Sequence, residues 1–549
     1  MSFRIRTALS IGFLALLVNS GYLGAFPDPN LFYVANVVAH LALGLTILVG
    51  LRLAPAPVAL AGLTGLALAV VGAQTPYRWL LLLHIGSSAG AALAIGWKWR
   101  DQPRLFRAFV ACGAVAVLLP AAARLRQTFF PNPADRIVNP KVVAASMDEE
   151  GGGPRSPFFP SAAVTNTGTT IPSGFFMDSK ACAECHQDIY DQWNASVHHF
   201  ASFNNQFYRK SVEYMQDVVG TNPSKWCAGC HDHAVFFNGR FDRPIKEQID
   251  TPEAHTGMGC MSCHSITRVA DTTGNGGFTI EYPPLHEVTT SKNPVIRTLH
   301  SYLTKIAPEP HRRSFLKPFM RLDASEFCST CHKVHLDVPV NQYRWFRGFN
   351  EYDNWQASGV SGQGARSFYY PAKTSTCVDC HMPLVASKDL GHHQGQVHSH
   401  RFPAANTAVP FANGDAEQLR ITEAFLKDNN VTVDIFAVSP AETDPGAPEM
   451  RRRASEGPVA ATTFAVGEEA ESAPGHVLLR EVGRLAAPIN RAAPPLRPGD
   501  TARVDVVVRT RKVGHFFPGG TVDAFDVWLE LKGEDESGRV VFWSGRVED

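Results

Sequence analysis

Cys182-Ala-Glu-Cys185-His186 opens a stretch that continues Gln187-Asp-Ile-Tyr-Asp-Gln-Trp193-Asn-Ala-Ser196-Val-His198. The same Cys-x-x-Cys-His pattern returns as Cys227-Ala-Gly-Cys230-His231, Cys260-Met-Ser-Cys263-His264, Cys328-Ser-Thr-Cys331-His332 and Cys377-Val-Asp-Cys380-His381. This spacing is that of covalent c-type haem attachment. Two sulfurs must reach the two vinyl groups of one porphyrin and form thioethers. The histidine after the second cysteine then turns a ring nitrogen to the iron as proximal ligand.

At the Cys and His frequencies of this chain about 0.01 matches are expected by chance. Five occur in one region, and they use ten of the eleven cysteines. Zinc knuckles do not require a histidine directly after every second cysteine, and neither does a disulfide scaffold. The sequence therefore predicts five covalently bound haem c groups. The proximal ligands are His186, His231, His264, His332 and His381.

The chain has 549 residues and no net charge, so nothing points to a nucleic-acid partner. Its average composition hides a division. The first 120 or so residues are very apolar, and the remainder is polar, rich in Pro and Gly, and holds all five motifs. The expected organisation is a multidomain membrane protein. Residues 1–122 form a helical transmembrane bundle and 123–177 an extended linker. Residues 178–406 form a mainly α and loop pentahaem domain, and 407–549 a β-sandwich-like domain.

Five hydrophobic spans are read at about Thr7–Phe26, Leu31–Leu51, Val58–Gln74, Trp79–Trp97 and Leu105–Ala122. The basic start of the first span resembles a signal peptide, but no small-residue cleavage site follows, so it is expected to be retained. Arg4, Arg6, Arg52, Lys98, Arg100, Arg104 and Arg107 alternate with the charge-poor turns Phe26–Asn30 and Thr75–Arg78. Positive loops stay inside, which puts the N-terminus inside and the C-terminal bulk outside. Haem attachment outside the cytoplasm demands the same side. The location implied is the bacterial inner membrane, multi-pass, with the haem region periplasmic. Arg124 and Arg126 beyond the fifth span count mildly against it.

His40 and His84 fall inside the second and fourth spans, roughly 13 Å and 8 Å below the outer surface at 1.5 Å per residue. Ionisable residues in spans are functional candidates by default. The readings that stay open are a non-covalent haem b held by this pair, and interhelical hydrogen bonding or one histidine lining a quinol pocket. Cys112 in the fifth span reads as a packed apolar residue.

Residues 123–176 carry seven prolines and Gly151-Gly-Gly153 without periodicity, which reads as a tether. In the haem region, short helices are expected around the motifs. Outside the motifs stand His198, His199, His233, His255, His286, His300, His311, His335, His392, His393, His398 and His400. They exceed the five needed as second axial ligands.

Three signatures carry a family likeness: Trp193-x-x-Ser196-x-His198 after the first motif, His255-x-Gly-x-Gly-Cys260, and His381-Met-Pro383. Over about Phe175–Asn406 the chain resembles the multihaem cytochromes c related to the tetrahaem cytochrome that accepts electrons from hydroxylamine oxidoreductase. That group is akin to the pentahaem nitrite reductases. The resemblance implies closely packed haems with mostly bis-histidine ligation, and it favours His198, His255 and His400 as distal ligands. The chain lacks the Cys-x-x-Cys-Lys of those reductases, so an enzymatic role is not inherited. Its polytopic N-terminal part is absent from the soluble tetrahaem proteins.

After Asn406, Asn430–Val438, Ala502–Val508, Asp526–Leu531 and Arg539–Trp543 read as strands, with a hairpin turn over Lys532–Gly538. A poorly ordered insert is expected over about 440–474. His515, in Val513–Gly520, reads as a structural loop histidine rather than a ligand.

The leading function is a membrane-anchored c-type cytochrome. It would carry electrons between the membrane, through a quinol pool or partner complex, and a periplasmic redox protein. The alternatives are a periplasmic reductase or oxidase of small nitrogen or sulfur compounds at one open haem, and a cytochrome subunit of a larger respiratory or photosynthetic complex.

Overall fold

Long apolar runs broken only by Pro-, Gly- and Arg-containing turns give five helices at the N-terminus: α1 (Phe3–Ala25), α2 (Leu31–Gly50), α3 (Ala56–Val71), α4 (Arg78–Trp99) and α5 (Pro103–Phe129). The computed structural model describes residues 3–50, 56–283, 286–365, 369–440, 487–493, 496–520 and 526–548. Four segments are long and apolar enough to cross a membrane: Arg4–Ala25, Leu31–Gly50, Thr75–Trp99 and Pro103–Phe129. The expected third span is shorter. Its 16 helical residues cover about 24 Å, less than a hydrocarbon core of about 30 Å.

The fifth helix is longer than expected. It continues past Ala122 to Phe129, with Arg124 and Arg126 inside it. α1 packs closely on α5 at Gly21, where a Cβ would stand 2.8 Å from the Ala116 Cα. Small residues permit such approach between membrane helices.

The chain divides into two compact units whose borders cut across the expected domains. One holds Met1–Cys331, Asp337–Arg344 and Thr376–Phe402; the other holds His332–Leu336, Trp345–Ser375 and Pro403–Asp549. Contacts decide this, not sequence order. In the second unit, strand Lys333–Leu336 pairs antiparallel with Phe346–Asn350, and the Glu351 N–H donates to the His332 carbonyl at 3.0 Å.

In the first unit the expected tether is part of the core. Ile137, Phe158, Ala163, Ile171, Phe175 and Phe176 pack with Phe236, Phe237, Phe241, Phe278 and Phe319 in one buried cluster. Val164–Thr165 forms a parallel edge strand on Phe278–Ile280, which pairs in turn with Ile266–Val269. The prolines and glycines misled because they set fixed turns rather than slack. Gly151 has φ +53°, and a Cβ there would stand 2.4 Å from the Ala162 carbonyl oxygen.

Past Asn406 two helices come first, Ala408–Ala412 and Ala416–Leu426. Among the described residues two antiparallel ladders follow. Val431–Pro440 pairs with Ala502–Thr510 through a bulge at Ile435/Ala437, and Leu531–Glu534 pairs with Val540–Ser544. The hairpin turn is narrower than expected: the Asp535 carbonyl accepts from the Gly538 N–H at 2.9 Å, with Gly538 at φ +81°. Beyond Pro440, the insert expected over 440–474 lies outside the described residues.

Arg136 clamps Asp323 through both Nε and Nη2, at 2.6–3.0 Å, and the Ile137 N–H adds a third bond at 2.9 Å. Burial alone would raise this carboxyl, but the Arg136 bonds, the Ile137 N–H and the Arg136 charge outweigh it and hold it below the usual carboxylate range. Arg136→Ala should lower the melting temperature, since it strips a nearly buried carboxylate of its main partner. Because the folded pKa is depressed, this stabilisation is full above the ordinary carboxylate pKa. It disappears as pH falls through the lowered value. Calorimetric melting of wild type and variant should therefore differ at pH 7 and converge in acid.

Candidate functional site

Each motif sits on or at the end of a short helix: Ser179–Ala183, Thr221–His231, Cys260–His264, Ala324–Ser329 and Cys377–His381. Positions three apart share a helix face, so both sulfurs of a pair address one flat group. The last motif shows how such a short helix is held. Thr376 and Asp379 form a reciprocal cap at its start, which satisfies two N–H groups that the helix leaves open.

The thiols of different motifs meet across the fold. Cys182 is hydrogen-bonded to Cys260, Cys230 to Cys331, and Cys328 to Cys377. The first motif therefore adjoins the third, and the fourth adjoins both the second and the fifth. None of the ten cysteines is in a disulfide. Among the described residues no group of three or more His, Cys, Asp or Glu is arranged to hold a metal ion.

Three pairs of imidazoles stand at one spacing. The ring centroids of His186 and His311 are 6.3 Å apart, those of His264 and His400 6.3 Å, and those of His40 and His84 6.4 Å. A first-row metal bonded at about 2 Å to each of two imidazole nitrogens holds the ring centroids roughly 6–6.5 Å apart. The residues thus fit bis-histidine haem sites, two in the haem region and one among the membrane helices.

The orientation of the rings agrees. A ligand histidine commits its second nitrogen to a carbonyl or carboxylate. His186 Nδ1 donates to Asp389 at 2.8 Å, His264 Nδ1 to the Phe315 carbonyl at 2.6 Å, and His400 Nδ1 to the His398 carbonyl at 2.9 Å. In the membrane part, His40 Nδ1 meets Asn19 Oδ1 at 3.0 Å and His84 Nδ1 the Ala61 carbonyl at 3.1 Å. His231 of the second motif likewise holds the Ala201 carbonyl at 2.7 Å. In every case Nε2 is the nitrogen left for a metal. Burial pushes His311 and His400 down to about 4, so both are neutral at pH 7, as a ligand must be. The Asp389 bond pushes His186 up.

Of the three distal candidates favoured by sequence, His400 faces the histidine of the third motif, His264. His198 packs its ring edge-to-face on Phe402 at 4.2 Å. His255 spends Nε2 on the Ile249 carbonyl at 2.6 Å. His233 is fully buried among Phe176, Phe237 and Phe278, with Nε2 on the Gly229 carbonyl. His515 is a loop residue ion-paired to Glu351 at 3.0 Å. Asp389 and Asn19 escaped the sequence reading. Asn19 had a signal, a polar residue inside an apolar span; Asp389 had none.

The family signatures acquire physical reasons. Trp193 Nε1 donates to the Met258 carbonyl at 2.7 Å, which pins the helix that follows the first motif, Gln187–Asn194, to the loop before the third. Met258 lies between Gly257 and Gly259. A Cβ on Gly257, at φ +64°, would stand 1.8 Å from the His199 carbonyl oxygen, and one on Gly259 would stand 2.5 Å from the Phe176 oxygen. After the fifth motif, the ladder Leu384–Ala386 with Gln396–His398 returns the chain. There the Gln192 side chain accepts from the His400 N–H at 3.0 Å.

Gly257→Ala should therefore separate the first and third motifs. It adds a steric overlap to about 1–2 kcal/mol of left-handed backbone cost. The expected result is a lower melting temperature and incomplete covalent haem loading by intact-protein mass. A change to Ala at Gly395 should be milder; its φ is also positive, but a Cβ there meets nothing.

Residues 181–265 match the family model described as Cytochrome c554 and c-prime. No curated protein and no solved structure matches the chain. The matched segment holds the first three motifs and is similar to that family of c-type cytochromes.

Proposed function

We propose that this chain is a membrane-anchored multihaem cytochrome that relays electrons between the membrane and a periplasmic redox partner. It would carry five haem c and one haem b. The observation that supports it most is the repeated imidazole spacing of 6.3–6.4 Å, found in the haem region and between two membrane helices alike. When bound, the haems supply iron centres that take up and release single electrons.

The chain's own residues fix where those centres lie. His186 with His311 and His264 with His400 serve the first and third motifs. Among the other histidines, His198 and His255 remain our reading for distal ligands, with His255 offering Nδ1. His40 and His84 hold the membrane site. Asn19 is oriented in turn by Asn36, its Nδ2 donating to Asn36 Oδ1 at 2.9 Å, and it sets the His40 tautomer.

The adjoining thiol pairs group the motifs in two sets, the first with the third and the fourth with the second and fifth, and Cys263 of the third motif interacts with Cys331 of the fourth, which supports one connected run of sites. Such proximity suits relay, and a quinol pool or a larger respiratory or photosynthetic complex is the donor or acceptor on the membrane side. All five N-terminal helices cross in this reading, with α3 accommodated by local thinning of the bilayer. The haem region lies on the side where α3 ends. The two C-terminal ladders expose Val433, Ile435, Val508 and Phe542. Two strands alone are marginal in water, so a sandwich over 407–549 would cover these faces.

Two results test the reading. His311→Ala and His400→Ala should each convert one low-spin ferric signal to high spin in electron paramagnetic resonance, with five covalent haem masses retained. His40→Ala and His84→Ala should each abolish haem extractable by acidified acetone and leave the covalent haems intact. Absence of extractable haem from wild type would make this pair structural or part of a quinol pocket.

A further inference from the structure

Helix Pro294–Ile306 belongs to the haem region in sequence, yet it rests on the membrane part. Its Tyr302 hydroxyl donates to the Ala69 carbonyl at 2.9 Å, and Lys305 Nζ to the Val70 carbonyl at 3.1 Å. The Ala73 N–H returns a bond to the Lys305 carbonyl at 3.1 Å. Ala69 and Val70 lie in the last turn of α3, where carbonyls lack helical partners and the helix dipole favours a cation. The helix thus caps α3, and the bonds fix its height at the level where the apolar part of α3 ends.

No residue of this helix is buried. Val295, Ile296, Leu299 and Tyr302 form one stripe, and they are 73%, 42%, 53% and 38% exposed. The spacing is that of a single helix face. Arg297 and Ser301 occupy the opposite face and are exposed as well. Asn293 caps the N-terminus, its side chain accepting from the Val295 N–H at 2.9 Å. A stripe of this kind open to water costs free energy, and its position beside the end of a membrane helix names the cover.

We infer that Pro294–Ile306 is a membrane-surface helix whose apolar stripe lies in the headgroup–acyl boundary of the bilayer that the N-terminal helices span. Such helices sink about 5–10 Å into that boundary and keep basic and hydroxyl groups toward water. Arg297 and the Lys292 that precedes the helix are placed for lipid phosphates. The consequence reaches the site. Two residues beyond the helix begins Glu309–Phe315, which carries His311 and supplies the carbonyl that holds His264. Seating the first helix on lipid steadies the segment that supplies a ligand to the first motif and a tautomer-fixing bond to the third.

This inference rests on the membrane reading, and the test separates the two. In the full-length holoprotein, Cys112→Ala removes the one cysteine outside the motifs. Single nitroxide labels are then placed at Val295→Cys, Leu299→Cys, Ser301→Cys and, on the exposed face of α2, Leu45→Cys. The protein is reconstituted in phosphatidylethanolamine/phosphatidylglycerol nanodiscs. Power saturation with oxygen and with a water-soluble nickel chelate reports depth. The expected oxygen-to-nickel accessibility ratio is several-fold higher at 295 and 299 than at 301, and highest at 45. A ratio at 299 equal to that at 301, with 45 still lipid-exposed, overturns the inference and leaves the membrane reading standing. Labels at 295 and 299 shielded from both reagents would mean a protein cover and would overturn it too. A water-exposed label at 45 would overturn both.

Discussion

The distance between two imidazoles is the constraint on which the rest depends. An iron held from both sides tolerates little error in ring separation, so the elements that carry the rings must be fixed relative to one another. Here they are fixed by bonds from the second ring nitrogen to backbone carbonyls, a carboxylate or an amide. Backbone acceptors belong to packed elements and move only if those elements move. Each ring is thereby tied to the body of the protein and not to the flexibility of its own side chain.

That requirement explains the irregular look of the haem region. Helices of four or five residues such as Gly174–Met177, Ser179–Ala183 and Cys260–His264 are too short to persist alone. They survive because the phenylalanine cluster, the Trp193–Met258 bond and the Arg136–Asp323 clamp hold them. Glycines appear where two backbones must touch, as at Gly257 and Gly259 between the first and third motifs. Those contacts bring the cysteine walls of neighbouring motifs back to back.

The membrane part obeys the same logic with fewer means. Without water, a buried polar group needs a partner within the bundle. Asn19, Asn36 and His40 satisfy one another across α1 and α2, as Thr64 and His84 do across α3 and α4. The two networks converge on the His40–His84 pair.

Sequence alone determined the attachment motifs and the histidine that closes each, the apolar N-terminal part and the two histidines inside it. Each rests on residues close together in the chain, or on composition, and local spacing reads both. It did not determine which distant histidine faces which proximal one. His311 is 125 positions from His186, and the family likeness, which favoured His198, His255 and His400, did not point to it. Nor did it show residues 130–177 as core, because prolines and glycines mark turns whether the chain between them is loose or packed. Pairing of ligands, adjacency of motifs and the seat of Pro294–Ile306 on α3 are all contacts across long stretches of chain. They are set by which surfaces bury one another, and no local period encodes that.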